Sequence, residues 1–272
     1  MLGPYYSICC NSFVTKVTKF LVEASDSSIV MSAIGAFGGA MGAAYGIYLI
    51  SRRKEDEAAL QEINTVTALL SGHINTLIRL KVDCVHPFKE GVESFKESAL
   101  SKKKVSNTAL TDTDIIELGD SLPVLTRYFH EIVTRMDIPV SVLGKYAHIS
   151  TRPIEHVSIS SEIFNTIAYK IRHRNTELQR LRKSDDLIAS YYQNLLLELD
   201  RVEQPTDEQV IEGDVEAGIC YMLESTRRLQ VVAKEILPKS LHDKIAEYRA
   251  EAEVRNLLPT QEVINKVIYG KV

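Results

Sequence analysis

The chain has 272 residues, 45% of them hydrophobic and 25% charged, with 32 basic against 36 acidic side chains. Four cysteines exclude a disulfide scaffold, and a net charge of −4 excludes global attraction to nucleic acid. The charge is unevenly spread: Ser27 to Ser51, between Asp26 and Arg52, carries none, whereas residues 55–272 carry 27 basic and 34 acidic side chains.

Residues 1–28 place Phe13, Val14, Val17, Phe20, Leu21 and Ala24 at helical spacing, with Lys16, Lys19 and Glu23 off that face. Three readings fit this segment. It is a short interfacial helix, or it precedes a true start at Met31, or Cys9-Cys10 is lipidated near a membrane. Ile29 to Ile50 follows as IVMSAIGAFGGAMGAAYGIYLI. At ~1.5 Å per residue this run is roughly 33 Å long, against a hydrocarbon core about 30 Å thick. Arg52, Arg53 and Lys54 follow at once, and Tyr45 and Tyr48 sit where interfacial aromatics sit. These flanks predict a transmembrane helix over 29–50 in preference to a buried core helix. The three cations outweigh Lys16 and Lys19, which lie beside Glu23 and Asp26, so the C-terminal part is expected in the cytoplasm. A cleaved signal peptide does not fit, because a basic n-region is missing and the apolar run exceeds an h-region.

Within the run, Gly35, Gly38, Gly39, Gly42 and Gly46 fall within about 100° of one helix face. Ile34, Phe37, Met41, Tyr45 and Tyr48 form a separate bulky stripe. The spacing of Gly38, Gly42 and Gly46 lets two helix backbones approach closely, which predicts a helix-pairing face in contact with membrane lipid, and a homo-oligomer.

The remainder reads as helical almost throughout. Ile63, Val66, Leu70, His73, Leu77 and Leu80 make a 3-4-3-4-3 seam that continues the first helix as a rod to about Val82. Asp83 to His86 interrupts it, and Pro87 opens a helix carrying Phe88, Val92, Phe95 and Ala99. Ser101 to Thr108 is expected as a polar loop. Leu118, Leu122, Leu125, Phe129, Ile132 and Met136, spaced 4-3-4-3-4, predict an amphipathic helix despite Pro123, ended by Ile138-Pro139. An irregular connection follows to about Val157. Ser158 to Val202 is the longest periodic stretch, burying Phe164, Ile167, Ile171, Leu178, Leu181, Ile188, Leu195 and Leu199. After Pro205, Thr206 to Gln209 is a capping box for a helix burying Ile211, Val215, Ile219, Met222, Leu229 and Ile236 and stopping at Pro238. Helices over Leu241–Leu258 and after Pro259 complete the chain. The expected fold is all-α, a bundle of long antiparallel helices over 55–272.

The chemistry is sparse. His130-Glu131-Ile132-Val133-Thr134, on the predicted helix, resembles the phospho-accepting box of sensor histidine kinases. Arg135 replaces the Pro expected after that Thr, and no Asn-rich or Gly-rich nucleotide-binding segment follows. Arg174-Asn175 begins the pattern of helical RNases, but no His follows in range; Arg152 and His156 are too close and lack the polar follower. His148 and His156, with Glu155, form no HExxH or CxxC pair, so neither metal nor cofactor is expected. Cys84 and Cys220 read as packed thiols. Lys170, Arg172, Arg174, Arg180, Arg182 and Lys183 surround their helix instead of striping it, which argues against a nucleic-acid surface. Arg174 is the exception, lying on the apolar seam between Ile171 and Leu178, as Asp185 does between Leu181 and Ile188. Such residues need buried partners, either to fix helix register or to line a ligand pocket.

The span, Arg52-Arg53-Lys54, the Thr67 to Pro87 stretch, and Phe164 with Arg174-Asn175 together resemble a loose group of bacterial single-pass membrane proteins with a helical cytoplasmic domain. The resemblance implies an inner-membrane location and no activity. The expected function is non-enzymatic: a membrane-anchored protein that self-associates and binds a protein partner. The alternative is a membrane-permeabilising effector whose glycine-rich span oligomerises when the soluble domain is triggered. An enzyme would need His148, Glu155, His156 and Arg174 to converge.

Overall fold

The computed structural model describes residues 28–106, 110–133, 136, 152–197, 207–250 and 255–270. The expectations for residues 1–27, for His148 and the connection around it, and for the Thr206 cap lie outside the described residues. Among the described residues every regular element is helical and no strand occurs. The chain divides into two units, residues 1–58 and 59–272.

In the first unit the helix α1 (Ser28–Leu80) begins. Its side chains from Gly35 to Ile50 are exposed apart from a half-buried Gly46. Among the described residues no helix is long and apolar enough to cross a membrane; part of the run 29–50, at residues 29–31, 33 and 34, has side chains outside the description.

The second unit takes α1 from Ala59 onward. Ile63, Val66, Leu70, Leu77 and Leu80 are buried there as the seam predicts, with His73 half-buried. The interruption expected at Asp83–His86 is a single π turn, Lys81–Val85, after which α2 (His86–Ser106) continues, with Pro87 in its first turn. Helix α2 extends into the expected loop as far as Ser106, with Lys103 and Lys104 in its last turn, where cations complement the helix dipole. Helix α3 (Asp112–Asp120) starts on a reciprocal cap: Asp114 N–H donates to Thr111 Oγ1 at 3.2 Å, and Thr111 N–H to Asp114 Oδ2 at 3.0 Å.

The amphipathic helix expected over 118–136 does not form. After α3 the chain makes a short 3-10 turn, Pro123–Thr126, leaves it extended at Arg127 (φ −71°, ψ 134°), and runs without regular secondary structure to Val133. Proline removes one helical donor and disfavours helical geometry at Leu122, which has φ −122° and ψ 74°. Leu125, Phe129, Ile132 and Met136 are nonetheless buried.

The single helix expected over Ser158–Val202 is two, α4 (Arg152–Leu181) and α5 (Asp185–Leu197). Ser184 followed by Asp185-Asp186 is a helix start, a small hydroxyl residue and then acids in the first turn. Helix α6 (Asp207–Ile236) ends before Pro238 as expected. The helix expected over Leu241–Leu258 is replaced by 3-10 turns at Lys239–Lys244 and Arg255–Leu257, with an irregular stretch over 246–250. Helix α7 (Gln261–Tyr269) closes with Gly270 at φ 61°, the left-handed geometry that suits glycine.

Helix α6 runs antiparallel to α4, with Ser160 Oγ 3.2 Å from Ser225 Oγ and Lys170 Nζ 2.6 Å from Asp214 Oδ2. Gly218 of α6 is where α1 and α4 close in: a Cβ there would lie 2.9 Å from Leu77 Cδ1 and 3.2 Å from Ile163 Cγ2. Around it Leu70, Ile74, Leu77, Phe164, Ile167, Ile171 and Val215 form the core, each contributing about 1.5–3 kcal/mol by burial. A smaller cluster joins Ala59, Leu60 and Ile63 of α1 to Ala233, Leu237 and Ile245.

Candidate functional site

The segment Pro123–Val133, a 3-10 turn followed by an irregular stretch, lies on α4 like a strap, and Arg174 is its centre. The guanidinium is buried, 4.0 Å from the ring centre of Phe129 and 5.0 Å from that of Phe88. It donates to the carbonyls of Arg127 at 3.0 Å and Leu125 at 3.4 Å. The next residue, Asn175, accepts from Phe129 N–H at 3.0 Å and donates to Phe129 C=O at 2.9 Å. Tyr191 of α5 donates to Leu125 C=O at 3.1 Å. Arg182 donates to Thr126 C=O at 2.7 Å and covers the Tyr128 ring at 4.6 Å. Cys84 Sγ, from the π turn, accepts from His130 N–H at 3.5 Å.

These polar contacts all land on the strap's main chain. Leu125, Phe129 and Ile132 supply the apolar anchors, while Tyr128, His130, Glu131 and Val133 face outward. A backbone outside helix and sheet has unsatisfied N–H and C=O groups, and here helix side chains take the place of a neighbouring strand.

The same device recurs. Asn165 of α4 accepts from Met136 N–H at 3.1 Å and donates to its C=O at 3.4 Å. Asn64 of α1 accepts from Ala246 N–H at 2.7 Å and donates to Lys244 C=O at 3.0 Å. Asn75 meets that second irregular stretch through a side chain instead of the main chain, its Oδ1 accepting from Tyr248 Oη at 3.1 Å. Each of the four is followed by threonine: Asn64-Thr65, Asn75-Thr76, Asn165-Thr166 and Asn175-Thr176. Thr65, Thr76 and Thr176 bond back to the carbonyl four residues earlier. Asparagine is a poor helix former, so its recurrence inside apolar periodic stretches was the signal available in the sequence.

In the first unit, a Cβ added at Gly35, Gly38, Gly39, Gly42 or Gly46 meets no atom within 4 Å. Arg52, Arg53 and Lys54 are exposed, Arg53 pairing with Glu57 at 3.1 Å. Asp185 is exposed in the first turn of α5, so it does not share a buried site with Arg174. His130 and Glu131 lie on the strap, so the kinase-like box is not on a helix. Glu155 is exposed and His156 half-buried.

Cys84 and Cys220 are buried free thiols. Burial, reinforced by the Glu216 charge and opposed by Lys81, pushes the Cys220 thiol up to about 11. Among the described residues no three His, Cys, Asp or Glu side chains are grouped to hold a metal ion.

A second buried charge fixes the C-terminal helix. Glu224 is buried in α6 and takes hydrogen bonds from Arg227 and Arg228, at 2.8 Å each, and from Tyr269 Oη at 2.8 Å. Burial opposes its ionisation, yet these donors hold the carboxyl at about 2. No family model, curated protein or solved structure matches the chain.

Proposed function

We propose that the protein is a non-enzymatic, membrane-associated helical scaffold that self-associates through Gly35, Gly38, Gly39, Gly42 and Gly46 and binds a protein partner through residues 59–272. In this reading it sits at the inner membrane as a single-pass protein with its C-terminal part in the cytoplasm, as the positive charge of Arg52, Arg53 and Lys54 favours. One observation carries it: a charge-free helix exposes Phe37 and Ile47 at 69% and Tyr45 at 64%. Contiguous apolar surface of this kind marks a protein or membrane contact. Two copies packed glycine to glycine bury the least apolar face and turn the bulky stripe outward to lipid.

The test replaces Gly38, Gly42 and Gly46 by Leu in the full chain and measures association with a membrane two-hybrid reporter. Association is expected to fall at least several-fold, with the variant still in the membrane pellet. Unchanged association refutes the pairing face, and recovery of the wild-type chain in the soluble fraction refutes the membrane placement.

A further inference from the structure

Residues 169–183 hold six of the 27 basic side chains of residues 55–272, Lys170, Arg172, Arg174, Arg180, Arg182 and Lys183, against one acid, Glu177. In sequence they surround the helix; in the structure half of them are taken up by packing. Lys170 pairs with Asp214 at 2.6 Å, Arg174 is buried under the strap, and Arg182 donates to Thr126 C=O. Arg172, Arg180 and Lys183 are left exposed. Arg172 and Arg180 share their face of α4 with Tyr169, His173 and Thr176, all exposed, within an arc of about 100° and over roughly 16 Å of helix. Lys183 follows in the turn after α4. Tyr169, 67% exposed, stacks on His173 with ring centres 6.3 Å apart and planes at 29°. The ring of charge that speaks against a nucleic-acid surface in the sequence is therefore a one-sided patch in the structure.

We propose that this face of α4 binds single-stranded nucleic acid: Arg172, Arg180 and Lys183 take backbone phosphates, and the Tyr169–His173 pair is a platform on which a base stacks. The composition of the arc selects this occupant. None of Tyr169, Arg172, His173, Thr176 and Arg180 is aliphatic, whereas the centre of a protein interface is apolar and a helix lying on a membrane inserts Leu, Phe or Trp side chains. Cations beside an exposed ring stack match a polyanion that carries its own flat rings, so that stacking adds to phosphate attraction.

Cations in a last turn also complement the helix dipole, which accounts for Arg180. Arg172 and the Tyr169–His173 pair stand two to three turns before the end of α4, beyond the reach of that effect. Acids bound the footprint: Glu177 pairs with Arg180 at 3.2 Å, and Glu162 stands exposed on the same face about two turns before Tyr169. A net charge of −4 excludes attraction over the whole surface, not over one face. Neither the glycine face nor the membrane placement is needed for this contact.

The test measures the fluorescence anisotropy of a labelled oligouridylate of about 12 nucleotides with the full chain in nonionic detergent. Saturable binding is expected at 50 mM salt. Three phosphate contacts give a slope of about −2 in log affinity against log salt, roughly a twentyfold loss between 50 and 200 mM. Arg172→Glu combined with Lys183→Glu should weaken binding by about tenfold or more. Tyr169→Ala should weaken it by about fivefold or more, and Tyr169→Phe should keep it, because only the ring is used. All three side chains are exposed, so the variants should keep the wild-type circular dichroism. If the double variant loses helical signal, Arg172→Gln replaces it, with a loss of about threefold expected. Binding that is not saturable at 50 mM salt overturns the proposal, as does wild-type affinity in the charge variant or in Tyr169→Ala. Competition decides the class of partner. Polyglutamate or phosphatidylglycerol vesicles that displace the probe as well as unlabelled oligouridylate does would assign the face to an acidic protein or to a membrane, and overturn it too.

Discussion

Asn175→Ala isolates what one helix asparagine contributes. The substitution leaves Phe129 N–H and C=O, held at 3.0 and 2.9 Å by one amide, without their partner on a residue only 3% exposed. Each orphaned buried group costs about 1–3 kcal/mol. Alanine in mid-helix recovers roughly 0.5–0.7 kcal/mol, so the two groups together leave a net loss of about 1.5–5.5 kcal/mol. For a folding unit of this size that lowers the melting temperature by roughly 3–20 °C.

The assay is thermal unfolding of the full chain in nonionic detergent followed by circular dichroism, with hydrogen exchange at the Phe129 amide as the local reading. Asn194→Ala is the control, because Asn194 is an exposed asparagine on α5 and its replacement should be neutral or slightly stabilising. A loss below about 0.5 kcal/mol, with Phe129 still as protected as in wild type, would refute the account of the strap as held by main-chain capture.

The same packing sets three further outcomes. His73 packs against Phe164, the ring centres 4.3 Å apart and the planes tilted by 53°, and burial lowers its pKa below the ordinary 6.5. The unfolded chain therefore takes up a proton that the folded chain resists, so stability is full above 6.5 and declines as the pH falls below it; His73→Leu should flatten that part of a melting-temperature profile. Glu224, held at about 2 against an ordinary 4.5, stabilises above 4.5 and loses that contribution as the pH falls from 4.5 toward 2. Glu224→Gln should abolish this acid limb and increase hydrogen exchange in α7; an unchanged limb would assign it elsewhere. Gly213→Ala, with open space around it, should stabilise by up to about 1 kcal/mol, whereas Gly119→Ala drives a methyl into the Tyr192 ring and should destabilise by roughly 1–2 kcal/mol in chemical denaturation.

The long helices were legible because their apolar residues repeat where few other signals compete. Ile63 to Leu80, Phe164 to Leu178, and Ile211 to Leu229 are buried as their spacing requires. The segment 118–136 misled for an equally physical reason. A 4-3-4-3-4 spacing states which residues are apolar, not which groups satisfy the backbone between them, and Arg174, Asn175 and Tyr191 do so from more than forty residues away. Arg174 was conspicuous as a charge on an apolar seam; its partners, two aromatic rings and two carbonyls, leave no mark in local pattern. The break at Ser184 was readable from Ser184-Asp185-Asp186 and was masked by the periodicity on either side.

The π turn at Lys81–Val85 has a bearing on chain length. A π turn is an α-helix that has accepted one extra residue without changing the phase of the helix beyond it. Elsewhere in α1 or α2, losing a residue would rotate the downstream surface by about 100° and carry Phe88 and Phe95, 5% and 0% exposed, away from the core. Here the two helices already face the core as if the chain were one residue shorter. Val82, 41% exposed, is in that sense spare, and this turn is the position where the helical register of the molecule can absorb an insertion or a deletion.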